Sequence, residues 1–264
     1  MPPGSTRYLS WLFAARAARA GLLGIYALTA EWRALMDPAT EHGVAALKLA
    51  WWREELGRLQ AGAPLHPITR YLAQFPTAAS AVEPLARSLE AAAAQIAGAP
   101  LERARELESH AGALYGAPLE AAAGLDGGRR EPGNLRACVV ALASGQYLAE
   151  ARTDYRRAAR VGRISFAVDE LLAAGIDNAD LAAGEPPPHL LAYLEQLRDR
   201  AARYFEVAQA ALTAEESEPL RHLAVLAALG AKRLRDREAR SPPDFRLVDL
   251  YNAWNAARRA AAAR

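Results

Sequence analysis

Apolar residues recur along this chain at spacings of three and four almost without a break, which is the pattern of helices that each bury one face. The clearest case lies between Ala45 and Pro67, in AALKLAWWREELGRLQAGAPLHP, where Ala45, Leu49, Trp52, Leu56 and Leu59 form one stripe. Lys48, Arg53, Glu54 and Arg58 fall largely on other faces, with Glu54 and Arg58 in the favourable order for an exposed ion pair. Gly62, Pro64 and Pro67 supply the stop. Trp51 and Trp52 point about 100° apart on a helix and both require cover, so they read first as core and groove-lining residues.

The same spacing predicts the other elements. Tyr8, Trp11, Ala15, Ala18, Leu22, Ile25 and Thr29 predict one helix from about Thr6 to Met36, capped by Ser5 or Thr6 and closed by Asp37-Pro38. After His66-Pro67 a short helix is expected over Thr69 to Gln74, then an Ala-rich one over Thr77 to Ala97 and another from Leu101 to about Ala123, bent near Gly116-Ala-Pro118. The stretch GLDGGRREPGN (124–134) reads as an interhelical connection, with Asn134 capping a long helix over Leu135 to Arg160. Leu190, Leu194, Leu197, Ala201, Tyr204, Ala208 and Ala211 repeat as a heptad, and Leu220, Leu223, Ala227, Gly230 and Leu234 repeat likewise. The expectation is an all-α fold: a single domain over residues 1–264, a bundle of about eight to ten helices, with a basic tail fraying from about residue 257.

Composition agrees. Of the 264 residues 52% are hydrophobic and 23% charged, and the Ala/Leu/Arg/Glu-rich mixture favours helix. A formal charge of +2 gives no excess that would argue for nucleic acid. The single cysteine, Cys138, excludes an internal disulfide and sits in an apolar helical context, so an inert thiol in a reducing, cytoplasmic setting is expected. The longest uncharged runs fall short of the roughly 20 residues a bilayer span requires. Arg7, Arg16 and Arg19, with no acid before Glu31, have the charge of a targeting peptide, but the uninterrupted spacing favours a packed first helix. His42, His66, His110, His189 and His222 show no metal-ligand spacing, and His66 before Pro67 suits a cap or loop.

The run WWREEL followed by GAPLHP resembles the WR-x-EL helix and G-x-P-x-HP segment of the squalene/phytoene synthase family, and the doubled Trp is most similar to its branch related to mitochondrial complex I assembly factors. Other pieces succeed it in the family's order. GIYALTAEWRALMD resembles its Y-A-F element and first aspartate-rich motif, with Tyr26 in the aromatic place, Arg33 and Ala34 on the first two aspartates, and Asp37 retained. Glu31 stands where the assembly-factor-like branch carries a glutamate. GRISFAVDELLAAGI is similar to G-R-x-Y-L-P and the helix after it, through Gly162, Arg163, Ile164 and Phe166. Counting back from there, the second aspartate motif becomes Asp154, Tyr155, Arg156, Arg157 and Ala158, and His110 takes the place of a tyrosine in the middle helix.

The resemblance implies an isoprenoid-synthase-like bundle around a central cavity. It also implies, for active members, head-to-head joining of two prenyl diphosphates on Mg²⁺ held by two facing carboxylate clusters. Here those clusters are eroded: Arg33, Ala34 and Asp37 remain of the first, and Asp154, Arg157 and Ala158 of the second. Cations at such positions repel Mg²⁺ and suit a phosphate directly. The expectation is therefore a catalytically degenerate protein needing no metal or other cofactor. It would bind an isoprenoid or lipid-like small molecule or a protein partner and make peripheral contact with a membrane, with Tyr26, Glu31, Trp51, Trp52, Arg53, His110, Arg163 and Phe166 as pocket candidates. Two alternatives stand beside it. An active prenyltransferase would use Mg²⁺ on displaced ligands such as Glu54, Glu55, Glu150 and Asp169, whereas a pure assembly protein would fill the cavity with Trp, Leu and Phe.

Overall fold

In a computed structural model of the chain, residues 5–125, 135–212, 220–235 and 247–262 are described. The connection at 124–134 lies mostly outside them. Among the described residues the regular elements are helices, joined by one isolated parallel bridge, Leu101 to Ala167. They are α1 (Thr6–Phe13), α2 (Ala18–Met36), α3 (His42–Gln60), α4 (Pro67–Leu72), a 3₁₀ turn (Ala78–Ala81), α5 (Val82–Ile96), α6 (Ala104–Ala111), a π turn (Gly112–Gly116) and α7 (Ala117–Gly124). Next in the chain come α8 (Leu135–Ala159), α9 (Val168–Ala173), α10 (Asn178–Ala182), α11 (Pro188–Ala210), α12 (Arg221–Arg235) and α13 (Leu247–Ala262).

The 25-residue α8 runs through the middle, packed chiefly against α11 and also touching α6, α12 and the π turn. Phe205 of α11 closes this centre, with its ring lying against Gly145 of α8 and Gly230 of α12. A Cβ at Gly230 would stand 2.5 Å from the ring, so only glycine admits the contact. On α3 the whole expected stripe is buried, and Trp52 meets Trp32 of α2 edge-on with ring centroids 6.1 Å apart. Trp51 stays over a third exposed, with the Arg58 guanidinium above its ring.

Two expectations need revision. The first helix is not continuous: Ala14 is extended (φ −61°, ψ 153°) and the chain turns before Ala18. Arg19 reaches back to donate from Nη2 to the Leu12 carbonyl at 2.8 Å and from Nε to the Ala14 carbonyl at 3.1 Å, satisfying acceptors that the end of α1 leaves open. Glu55, expected as a candidate displaced metal ligand, is fully buried away from the cavity. It lies three residues after Trp52, on the inward stripe. Its Oε1 accepts from the Leu65 and His66 amides at 2.8 Å each and from the Thr69 hydroxyl, and its Oε2 from Arg58 Nε at 2.8 Å. His66 caps α4, its Nδ1 accepting from the Ile68 amide at 3.2 Å. The WREEL and GAPLHP segments are thus one hydrogen-bonded corner. At the other end α13 continues to Ala262, with Ala257 and Ala260 buried.

Candidate functional site

A cavity of about 450 Å³ opens between α2, α5, α6 and α8. Helical spacing on α8 builds one wall: Tyr147, the pair Glu150 and Ala151, Asp154, and the pair Arg157 and Ala158 recur at single turns along one face. Arg33 and Met36 face them from α2, with Asp37 just beyond its end. His110 and Tyr115 come from α6 and the π turn. The rim is formed by two loops that leave their helices through glycines in the left-handed region, Gly98 (φ 70°) and Gly162 (φ 74°). After Gly162 the chain turns so that Arg163 Nη1 donates to the Met36 carbonyl at 3.0 Å, setting a cation at the negative end of α2.

Charge in the cavity is paired rather than clustered by sign. Arg157 Nη2 donates to both oxygens of Asp37, at 2.9 and 3.1 Å, bridging the two helices. Deeper in, Arg33 Nη2 donates to Glu150 at 2.6 Å, and the Tyr115 hydroxyl donates to the same oxygen at 2.7 Å. Arg33 also lies over the Tyr115 ring, 5.6 Å from its centroid. Burial alone would raise the Glu150 carboxyl, but Arg33, Arg7 and the Tyr115 hydroxyl together hold it below its ordinary value. Glu150 in turn raises the Arg33 guanidinium, and burial together with Glu150 raises Tyr115. Asp37 is lowered by the Ala39 amide at 2.9 Å and by Arg157. Asp154 goes the other way: partial burial and then the nearby Glu150 carboxylate raise it, and among the described residues its carboxylate accepts no hydrogen bond. Burial lowers His110, whose Nε2 stands 3.4 Å from Gln95 and whose ring meets Tyr147 edge-on at 5.5 Å.

Of the residues singled out from sequence, Arg33, Asp37, Asp154, Arg157, Ala158, His110 and Arg163 all line this cavity. Ala34 is exposed beside it, and Glu31 is on the outer surface. Tyr26 is buried elsewhere, its hydroxyl 3.2 Å from Ser10 Oγ. Phe166 is core, packed against Tyr155 and Tyr193, and Trp51 and Trp52 belong to the α3 corner. Arg53 pairs on the surface with Glu90, at 2.5 and 2.8 Å. Among the suggested substitute carboxylates, Glu150 lines the cavity; Glu54, Glu55 and Asp169 do not. Tyr115 and Tyr147 were not anticipated, although Tyr147 stands one turn before Glu150 and was within reach of the same periodicity.

The sequence profile described as squalene/phytoene synthase matches residues 2–258. The chain belongs to the squalene/phytoene synthase family. A solved dehydrosqualene synthase in complex with ligand superposes with a TM-score of 0.73 at 17% identity, covering 97% of this chain and 90% of that one. The squalene synthase HpnC from Alicyclobacillus acidocaldarius superposes with a TM-score of 0.70 at 22% identity, over 86% of each chain. No curated protein matches this family member in sequence. The likeness to the two synthases is one of fold, an all-α bundle.

Proposed function

We propose that this family member is catalytically degenerate, of the kind related to complex I assembly factors, and that its cavity holds an isoprenoid or lipid-like molecule with an anionic head without a metal ion. The observation that carries the reading is that two of the three acids lining the cavity are each paired with an arginine: Asp37 of the first motif with Arg157, and Glu150, one turn before Asp154 of the second motif, with Arg33. A Mg²⁺ ion on a diphosphate calls for carboxylate oxygens free to face it. The donor set does not fit, because Asp37 and Glu150 are already committed to arginines and Asp154 is raised rather than lowered. Among the described residues no three His, Cys, Asp or Glu side chains stand close enough to hold a metal. Arg157 and Arg163 at the rim use one nitrogen each, on Asp37 and on the Met36 carbonyl, and would offer a phosphate the other two, while Tyr147, Ala151 and Ile164 supply apolar surface below. The ligand in the dehydrosqualene synthase complex is consistent with a small molecule in this fold.

Binding of farnesyl diphosphate, followed by calorimetry in magnesium and in chelator, is expected to be saturable in both, with no turnover. Magnesium-dependent release of diphosphate would overturn the proposal. That outcome is the prediction of the second reading, an active head-to-head prenyltransferase, which rests on Asp37, Glu150 and Asp154 lining one cavity.

A further inference from the structure

A second cleft, of about 250 Å³, lies where the end of α1 and the start of α2 meet α12 and α13. It shares no lining residue with the central cavity. Its chemistry is one-sided. Arg19, Arg221 and Arg258 line it together with Leu12, Phe13 and Trp254, and among the described residues no carboxylate does. Among the described residues none of the three arginines is ion-paired with an acid. Arg19 is fixed by its two carbonyl bonds, Arg258 lies over the Trp254 ring at 4.9 Å, and the buried Nε of Arg221 has no hydrogen-bond partner. Three cations around an apolar floor repel one another unless an anion joins them. Beside the cleft, Val248, Tyr251 and Trp254 form an exposed stripe along α13, and tyrosine and tryptophan favour the boundary between water and lipid.

We propose that this cleft docks the phosphate headgroup of an anionic membrane phospholipid. The arginines take the phosphate, and Tyr251 and Trp254 sit among the neighbouring headgroups. Charge complementarity selects the lipid: a zwitterionic surface offers three unpaired guanidiniums no net attraction.

Flotation with phosphatidylcholine vesicles, with and without phosphatidylglycerol, tests this. The full chain is expected to float only with anionic vesicles, and less as salt rises. Each arginine removed should weaken partition roughly fivefold, so Arg221→Gln with Arg258→Gln should lose about 25-fold. The exposed Arg258→Gln variant alone serves as the check that loss does not come from misfolding. Equal flotation with neutral vesicles, no flotation, or double-variant binding equal to the parent overturns the inference. So does saturable binding of inorganic phosphate, lost in the double variant, without vesicle flotation, which would assign the cleft to a soluble phosphate. Farnesyl diphosphate binding in the central cavity is expected to be unchanged in these variants, so the outcome is separable from the preceding proposal.

Discussion

Replacing Glu55 by glutamine is the most informative single change in this molecule. The carboxylate is wholly buried, yet four donors converge on it, so burial, which raises its affinity for a proton, is outweighed by Thr69, His66, Arg58 and Leu65, and its pKa falls from 4.5 to about 2. At ~1.36 kcal/mol per tenfold in proton affinity, that difference corresponds to about 3 kcal/mol, an upper value because the exposed side of Arg58 is screened. The folded carboxyl binds its proton less readily than the unfolded one. The contribution is therefore complete above about pH 4.5 and is lost as pH falls toward 2. Glutamine can keep an oxygen toward the Leu65 and His66 amides, but it turns an NH₂ toward the Arg58 donor. The expected cost is roughly 1.5–3 kcal/mol, with alanine nearer 3–5 because buried donors lose their acceptor. Urea unfolding at pH 7 and at about pH 3, where most of the carboxylate's contribution is lost, measures both quantities. The glutamine variant should be less stable at neutral pH and should lose less on acidification than the parent. A variant within about 0.5 kcal/mol of the parent at pH 7, with the same acid sensitivity, would refute the account of the α3–α4 corner.

Gly230→Ala should destabilise by about 1–3 kcal/mol in thermal melts, because the Phe205 ring occupies the methyl's place; the usual gain of about 1 kcal/mol for alanine in a helix would be overridden. Arg33→Met should cost roughly 1–3 kcal/mol, less than for a fully buried pair since both Arg33 and Glu150 are about a third exposed; adding Glu150→Gln should restore part of it in a double-mutant cycle. Carboxyl carbon NMR should find Asp154 titrating above the usual aspartate range, and Glu150→Gln should bring it down; no movement would show that Glu150 is not felt there.

Much of the site was legible because the α8 wall is a plain helical stripe: once Asp154 is placed, Glu150, Arg157 and Ala158 are found by counting turns. The features that escaped did so for identifiable reasons. The break between α1 and α2 falls in an Ala/Arg-rich run whose propensity says only helix, and what marks it is the return of the Arg19 side chain to carbonyls five and seven residues behind it. Glu54 and Glu55 are indistinguishable by residue type. The position of Glu55 on the Trp52 stripe signalled burial, and the amides of the GAPLHP turn are what make burial tolerable. Tyr26 and Phe166 matched motifs in kind, but their rings serve the core.

The wide turn over Gly112–Gly116 accommodates one residue more than a regular helix would, and Tyr115 lies inside it. Removing one residue there would let the segment close to a regular helix with α7 nearly in place, and would shift by one the side chains that the turn presents to Glu150. The turn absorbs one residue of sequence between α6 and α7 without turning one against the other. An ungapped comparison with a relative lacking that extra residue would match the wrong partners on one side of it, and would misname the ceiling of the cavity while leaving its floor correctly aligned.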